Sequence, residues 1–172
     1  MTTIAYKFTR PGGVSPFRDF EWPVGEWVEA QGELGLCANG VHACRVEALP
    51  RWVDEELWRV EVDEVALDHE GVLVARRGRV LEQIEAWDPA LSRELARSCA
   101  ARALELAEEH HDPLTKGRVA MIVDVAGGPD PSATALSMYL VAHTADELEP
   151  DGYKIERARQ AEWLRQRLAL DA

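Results

Sequence analysis

The composition of the chain changes near Trp87, and this change constrains the fold more than any motif does. Up to and including Trp87 lie most of the glycines, five of the six tryptophans and short runs of alternating apolar and polar residues; after it alanine, leucine and glutamate dominate. Alternation with a period of two is typical of strands, whereas spacings of three and four are typical of helices. The sequence therefore predicts an α+β fold and a single domain over 1–172, with 1–87 mainly β and 88–172 mainly α.

The first half predicts an antiparallel sheet of short strands. In 57–62 the alternation is clean, so that Trp58, Val60 and Val62 fall on one face. Residues 76–79, Arg-Arg-Gly-Arg between two apolar runs, predict a hairpin turn, and 46–53 predict a helical turn with a proline inside it. The predicted strands are 4–9, 26–30, 41–43, 57–62, 72–75 and 79–87.

The second half predicts about four helices packed against the sheet. Asp88 and Pro89 favour a helix start, and that helix is expected to run to about residue 109. Thr115 predicts the start of a second helix that ends at Gly127, a third follows from Ser132, and the last covers 153–170. The predicted inner faces are Leu91, Leu95, Cys99, Ala103 and Leu106; Val119, Ile122, Val123 and Ala126; Leu136, Tyr139, Leu140 and His143; and Ala158, Ala161, Leu164 and Leu168.

The charge balance excludes two classes of function. With 19 Lys and Arg against 31 Asp and Glu, the net charge of −12 repels phosphate backbones and anionic headgroups, so we expect neither nucleic-acid nor membrane binding. The segment 47–70 alone holds nine acids and two arginines. Such a segment is typical of a solvated face, or of a surface for a basic partner.

The chain shows neither an apolar signal-peptide core nor a stretch approaching the roughly 20 apolar residues of a membrane span. Its three cysteines, an odd number, favour free thiols in the cytoplasm over disulfides. The oligomeric state stays open.

The densest group of reactive side chains is Cys37, His42 and Cys44. If 41–43 form a strand, His42 and Cys44 share a face, and a turn at Asn39 could bring Cys37 back toward them. Thiolate and imidazole are ligands for Zn²⁺, but no fourth ligand is visible, so no bound metal is expected. A nucleophilic cysteine with His42 as its base, or a buried cysteine beside a hydrogen-bonded histidine, are the alternatives.

Two helical positions carry further candidates. His143 follows Tyr139 and precedes Asp146 by about one turn each, a column that could relay protons in a cleft or simply lie beside the core. Glu108 and His111 have the spacing of a helical metal-binding pair, although a place at the helix C-terminus explains the histidine equally well.

The aromatic side chains of the sheet half could line a pocket for a small molecule or fill the core. Tyr6, Trp27 and Trp58 are the candidate ligand-binding residues. Glycine-rich phosphate loops, the Gly-x-Ser-x-Gly elbow and His-Glu-x-x-His are absent from the sequence, and the cofactor stays unknown.

A resemblance covers about the first 65 residues. The order of residues 6–8, Trp27, 40–44 and 58–62 resembles a group of phage and actinobacterial proteins with a Gly-Phe-His-x-Cys strand. It is more distantly similar to small domains related to ADP-ribosyltransferases. That resemblance implies a cleft lined by His42; a transferase would also need a glutamate from a later strand, for which Glu82 and Glu85 are available.

The leading hypothesis is a small cytoplasmic enzyme or small-molecule-binding domain with its pocket around His42. In an enzyme, His42 would be the acid, base or orienting group, with Cys44, His143 and Tyr139 as the other catalytic candidates. The alternative is a protein-interaction module that uses the acidic segment 47–70.

Overall fold

The computed structural model describes residues 2–110, 113–128 and 131–171, and it has the α+β architecture that the sequence predicts. Strands come first: β1 (Thr3–Thr9), β2 (Val28–Glu29), β3 (Val41–Cys44), β4 (Glu56–His69) and β5 (Val72–Gln83), with a 3₁₀ helix (Val46–Arg51) after β3. Four helices follow: α1 (Pro89–His110), α2 (Pro113–Ala126), α3 (Pro131–Leu148) and α4 (Gly152–Leu168). Among the described residues no helix is long and apolar enough to cross a membrane.

The five strands form one antiparallel sheet that curls on itself. Its order is β2-β5-β3-β1-β4, and β4 also pairs with β5, so that β1, β3, β5 and β4 close a circuit of strand pairings. Between β1 and β3 the circuit is closed by a short pairing, because these strands pair only at Tyr6 and Cys44. The two strands therefore leave a gap between them, which side chains of the neighbouring loops can line.

The predicted hairpin turn at 76–79 is wrong, and so is a strand that continues to Trp87. The strand β5 runs without a break to Gln83, and the turn of the β4–β5 hairpin lies instead at Glu70 and Gly71. Gly78 is a glycine for steric reasons, since a Cβ there would lie 2.8 Å from Val41 Cγ1 and 3.1 Å from the Glu61 carbonyl oxygen. A glycine inside a strand here indicates a close approach of neighbouring strands.

The first helix begins as predicted. The Asp88 side chain accepts a hydrogen bond from the Leu91 backbone N–H at 2.7 Å, which caps the open donors of the first turn. The second helix starts two residues before the predicted Thr115. Its side chains Val119, Ile122 and Ala126 are buried as expected, but Val123 is exposed.

The predicted inner faces of α3 and α4 are partly wrong. In α3 Leu136 and Tyr139 are exposed, and a row that includes Met138 and Val141 is buried instead. The helix is thus rotated about its axis relative to the predicted inner face. In α4 Ala158 is exposed, while the buried positions include Glu156 and Gln160. Burial of polar residues of this kind is not visible in a hydropathy pattern, since it depends on partners that lie far away in sequence.

Those partners form a polar network inside the helical half. Glu156 accepts hydrogen bonds from Arg159 and from the Gln160 amide, and the same amide group donates to the Met138 carbonyl oxygen at 3.0 Å. Arg157 donates to the Pro50 carbonyl oxygen at 2.9 Å and so ties α4 to the 3₁₀ helix. The network draws its partners from several elements at once, which fixes how they pack, although the buried Arg157 Nε has no hydrogen-bond partner among the described residues.

Two apolar clusters hold the described structure together. The larger one joins the outer face of the sheet, including Tyr6 and Phe8, to side chains of all four helices and to Leu170. The smaller one lies within the strand circuit around Val60 and Leu73. The Tyr6 hydroxyl oxygen also accepts a hydrogen bond from the Asp171 backbone N–H at 2.8 Å, so the first strand is bound to the segment after α4.

Candidate functional site

A cavity of about 710 Å³ opens beside β1 and β3. Pockets for small organic ligands usually occupy about 300–1,000 Å³, so the cavity has the size of such a site. It lies between the two strands and two loops, which we call the aromatic loop (residues 15–22) and the cysteine loop (residues 35–40). The lining residues are 6–8, 15–18, 20, 22, 28, 30, 37–44, 52 and 72.

Lys7 carries a positive charge into this cavity. It shares a strand face with Ala5, and its ammonium group donates a hydrogen bond to the His42 carbonyl oxygen at 3.1 Å and lies 5.2 Å from the ring centre of Trp22. Among the described residues no carboxylate lies within ion-pair distance of it. Burial lowers the pKa of Lys7 to about 8, because the charged form has lost much of its hydration. At neutral pH the group remains mostly protonated.

Arg18 brings a second positive charge and joins the two loops. Its guanidinium group donates a hydrogen bond to the Ala38 carbonyl oxygen in the cysteine loop. It forms no ion pair within the described part of the chain. Both Arg18 and Lys7 line the cavity, and neither an aspartate nor a glutamate is among the described residues that do so. In a chain of net charge −12, the cavity is therefore locally cationic.

His42 holds the cysteine loop in place. Its Nε2 accepts a hydrogen bond from the Cys37 backbone N–H at 3.1 Å, so its Nδ1 carries the proton, which it donates to the Gly40 carbonyl oxygen at 3.0 Å. Burial lowers the pKa of His42, and the charges of Lys7 and Arg18 act in the same direction. The imidazole is thus neutral at pH 7, with both ring nitrogens engaged by backbone groups.

The three cysteines differ in exposure. Cys37 is exposed on the cavity wall, whereas Cys44 and Cys99 are buried, and no disulfide joins any of them. Burial raises the pKa of both buried thiols to about 12, so they stay protonated and unreactive at neutral pH. The ligand atoms of Cys37, His42 and Cys44 do not all lie within 4.8 Å of one another, so this trio does not form a ready metal site in the described structure.

Aromatic rings supply the apolar surface of the cavity. Phe20 meets Trp22 edge to face at 5.2 Å between ring centres, and Phe17 meets Trp52 in the same way at 6.2 Å. Phe17 is 80% exposed, which is unusual for a phenylalanine. The Trp22 indole N–H donates to the Ser15 hydroxyl at 2.8 Å and fixes the aromatic loop.

Glu56 anchors the turn that leads into the aromatic loop. Its carboxylate accepts hydrogen bonds from the Gly12 and Gly13 backbone N–H groups, each at 2.9 Å, and from the Trp58 indole. Burial by itself raises the pKa of Glu56, but these hydrogen bonds to the ionised form outweigh it and lower the pKa. The carboxylate therefore has a positioning role outside the cavity.

The structure brings some of the predicted site residues together and separates others. His42, Cys44 and Tyr6 line the cavity. Trp58 and Trp27 do not: Trp58 is buried against Thr9, to which its indole donates at 3.1 Å, and Trp27 lies under the guanidinium groups of Arg77 and Arg79.

The two candidates on α3 lie on a different surface. Tyr139 and His143 are exposed and stack with Tyr153 of α4, with ring centres 4.2 Å and 5.0 Å apart along the row. Asp146 instead accepts a hydrogen bond from the Tyr153 backbone N–H, so the geometry offers no continuous relay through these groups.

Another cluster lies where α1 and α3 end. Glu109, His110 and Glu149 place their ligand atoms within 4.8 Å of one another, the one such group of three in the described part of the chain. Of the predicted pair Glu108 and His111, the histidine lies outside the described residues. Arg102 lies 3.8 Å from Glu109, and a neighbouring cation opposes binding of a metal ion there.

The acidic segment 47–70 is largely paired within the sheet. Asp63 and Glu61 form ion pairs with Arg77 and Arg79, both at 2.7 Å, and the pKa of each carboxyl is lowered chiefly by the hydrogen bond from its arginine. Further pairs join Asp68 to Arg45 and Glu70 to Arg51. The segment thus presents less free negative charge than its composition indicates.

Sequence analysis did not single out Lys7, Arg18 or the aromatic loop. One signal for Lys7 exists: it is among only three lysines in the chain, and it interrupts the apolar run of the first strand. Arg18 and Phe17 lie in a loop with no periodicity, and the contact of that loop with the cysteine loop is not encoded in any local pattern.

Comparisons of the chain with protein families, with curated proteins and with solved structures found no match.

Proposed function

We propose that the chain is a small-molecule-binding domain whose ligand occupies the cavity beside β1 and β3. The observation that carries this proposal is the make-up of the cavity: exposed aromatic rings, two unpaired cations and no carboxylate among its described lining residues. Apolar walls with a few oriented polar groups are typical of ligand sites.

In this proposal His42 positions the cavity wall and is not an acid or base. A general acid–base group needs a ring nitrogen directed at the reacting atoms, but the Cys37 N–H and the Gly40 carbonyl already occupy both nitrogens of His42. Cys44 is likewise a poor nucleophile, because its pKa of about 12 keeps the thiolate scarce. The observations thus favour binding over the enzymatic form of the hypothesis.

The two other hypotheses have less support. A transferase would require Glu82 or Glu85 in the site, yet neither lines the cavity, and Glu82 forms an ion pair with Arg59 at 3.0 Å. An interaction module that uses the acidic segment would rely on carboxylates of which several already have arginine partners.

Cys37 offers a direct test, because it is the exposed thiol on the cavity wall. The probe is N-phenyl-1-naphthylamine, a neutral, flat dye whose fluorescence increases in apolar sites. We expect one dye to bind per chain, and alkylation of Cys37 with N-ethylmaleimide to weaken binding about tenfold or more, since the adduct fills part of the cavity. A Cys37→Ser variant treated with the same reagent should bind the dye as untreated protein does.

Two results contradict the proposal. One is a failure of the unmodified protein to bind the dye. The other is equal binding before and after alkylation, which would place the dye on another apolar surface, such as the one around the exposed Leu104 and Met121.

A further inference from the structure

Resting on the proposed function, we propose that the ligand is an organic anion with a planar apolar body, whose acidic group lies at Lys7 and Arg18 while its body contacts the rings of the aromatic loop.

The first step is that no carboxylate of the described residues neutralises the two cations of the cavity. Arginines elsewhere in the sheet form ion pairs, such as Arg77 with Asp63 and Arg79 with Glu61. Lys7 and Arg18 form none with the residues that the structure describes, although the chain has 31 acidic residues. Their hydrogen bonds in the described structure go to backbone carbonyl oxygens, which carry no formal charge. An uncompensated cation in a poorly hydrated site attracts an anion strongly.

The second step is that the two cations act on the same place. Lys7 donates a hydrogen bond to the His42 carbonyl oxygen at 3.1 Å, and Arg18 donates one to the Ala38 carbonyl oxygen in the cysteine loop, which the His42 ring holds through the Cys37 N–H. Both charges also lower the pKa of His42. An anion at this end of the cavity therefore feels both charges. Carboxylate, sulfonate and phosphate groups share this chemistry.

The third step concerns the body of the ligand. The Trp22 ring lies 5.2 Å from the Lys7 ammonium group, so the cation and the aromatic surface are adjacent. Phe20, which meets Trp22 edge to face, is 41% exposed, and Phe17, which lines the same cavity against Trp52, is 80% exposed. A flat group attached to the acid would cover these rings and remove their apolar surface from water.

The experiment compares two dyes that differ by a single charged group. The anion 1-anilinonaphthalene-8-sulfonate has the rings of N-phenyl-1-naphthylamine plus a sulfonate, so the ratio of their dissociation constants isolates the effect of charge. We expect Lys7→Met to weaken sulfonate binding at pH 7 about tenfold or more relative to any change that it causes in neutral-dye binding. Lys154→Met, which removes an 82% exposed lysine on α4, should change neither.

The pH dependence of the wild-type protein gives a test that needs no variant. Sulfonate binding should weaken as the pH rises through about 8 toward 9.5, because Lys7 loses its proton, while neutral-dye binding stays constant. Two groups near Lys7 do not change charge in this range, because His42 is already neutral and the Cys44 thiol has a pKa of about 12. The Cys37→Ser variant, which removes the exposed thiol from the cavity wall, should show the same dependence.

The inference is overturned if Lys7→Met weakens both dyes equally or neither, or if sulfonate binding does not change between pH 7 and 9.5. Either result leaves the proposed function intact as long as the neutral dye binds in a manner sensitive to Cys37. If the neutral dye itself fails to bind at the cavity, the proposed function fails first.

Discussion

Burial of the charged Lys7 side chain lowers the stability of the folded chain. Its pKa of about 8, against about 10.4 for a lysine in water, means that the folded state disfavours the charged form. For a base whose folded pKa is lowered, this loss of stability is largest below the folded pKa and diminishes as the pH rises toward the unfolded pKa. A methionine would fit the neighbouring apolar surface without that loss.

We therefore expect Lys7→Met to stabilise the protein at pH 7 by ~1–3 kcal/mol and by clearly less at pH 9.5, where the wild-type lysine is neutral. Urea denaturation of both proteins at the two pH values measures the difference. Lys154→Met is the matched control and should lie within about 0.5 kcal/mol of wild type, since that lysine is on the surface. A variant less stable than wild type at pH 7 would show that Lys7 has a structural role.

At the scale of elements, the most crowded glycine among the described residues lies at the start of α4. Gly152 packs against the end of α3 so tightly that a Cβ would lie 2.1 Å from the Ala145 carbonyl oxygen. The Gly152 Cα and the Ala145 carbonyl group both belong to the backbone, so neither can move without shifting a helix. The glycine is what allows α3 and α4 to meet at this angle.

Two glycine substitutions should have opposite effects. Gly152→Ala is expected to destabilise the protein by ~3 kcal/mol through overpacking. Gly117→Ala, in the exposed interior of α2 with no atom within 4 Å of the added Cβ, should stabilise it by ~1 kcal/mol through helix propensity. Chemical denaturation of both variants measures the two effects, and the same sign in both would contradict the packing argument.

Local sequence patterns predicted the helices and strands better than they predicted which helix faces are buried or where the cavity lies. The Asp88 cap and the change near Trp87 are short-range signals, and the structure confirms the α+β order that they predict. Gly78 misled the turn prediction because a glycine forced by a neighbouring strand has the same sequence signature as a glycine in a turn.

The cavity could be predicted only through His42. Its strand is short and regular, and the turn before it was visible in the sequence. Arg18 and Phe17 reach the site through a loop whose position depends on Glu56, a residue of β4 some 40 positions later. Such a contact requires the fold to be known first.

At the scale of the whole molecule, burial divides the thiols into two classes. Cys37 is exposed, whereas Cys44 and Cys99 are buried and belong to the larger apolar cluster that joins the sheet to the helices. The reactivity of the buried pair therefore reports on the integrity of the contact between the two halves.

Thiol titration with Ellman's reagent should give one rapidly reacting group in the native protein and three in denaturant without reductant. The Cys37→Ser variant should lose the rapid group and keep two in denaturant. A single reactive group in denatured wild-type protein would indicate a disulfide, and three rapid groups in the native state would contradict the burial of Cys44 and Cys99.

The hydrogen bond between Tyr6 and Asp171 has a consequence for biosynthesis. The two residues are 165 positions apart, and Leu170 belongs to the same apolar cluster as Tyr6. At about 5–20 residues per second, a ribosome needs ~10–30 s to add the residues that complete this cluster after the first strand has been made. Throughout that interval the nascent chain carries the uncovered side chains of Tyr6 and Phe8, which makes the unfinished polypeptide a substrate for the chaperones that bind apolar segments.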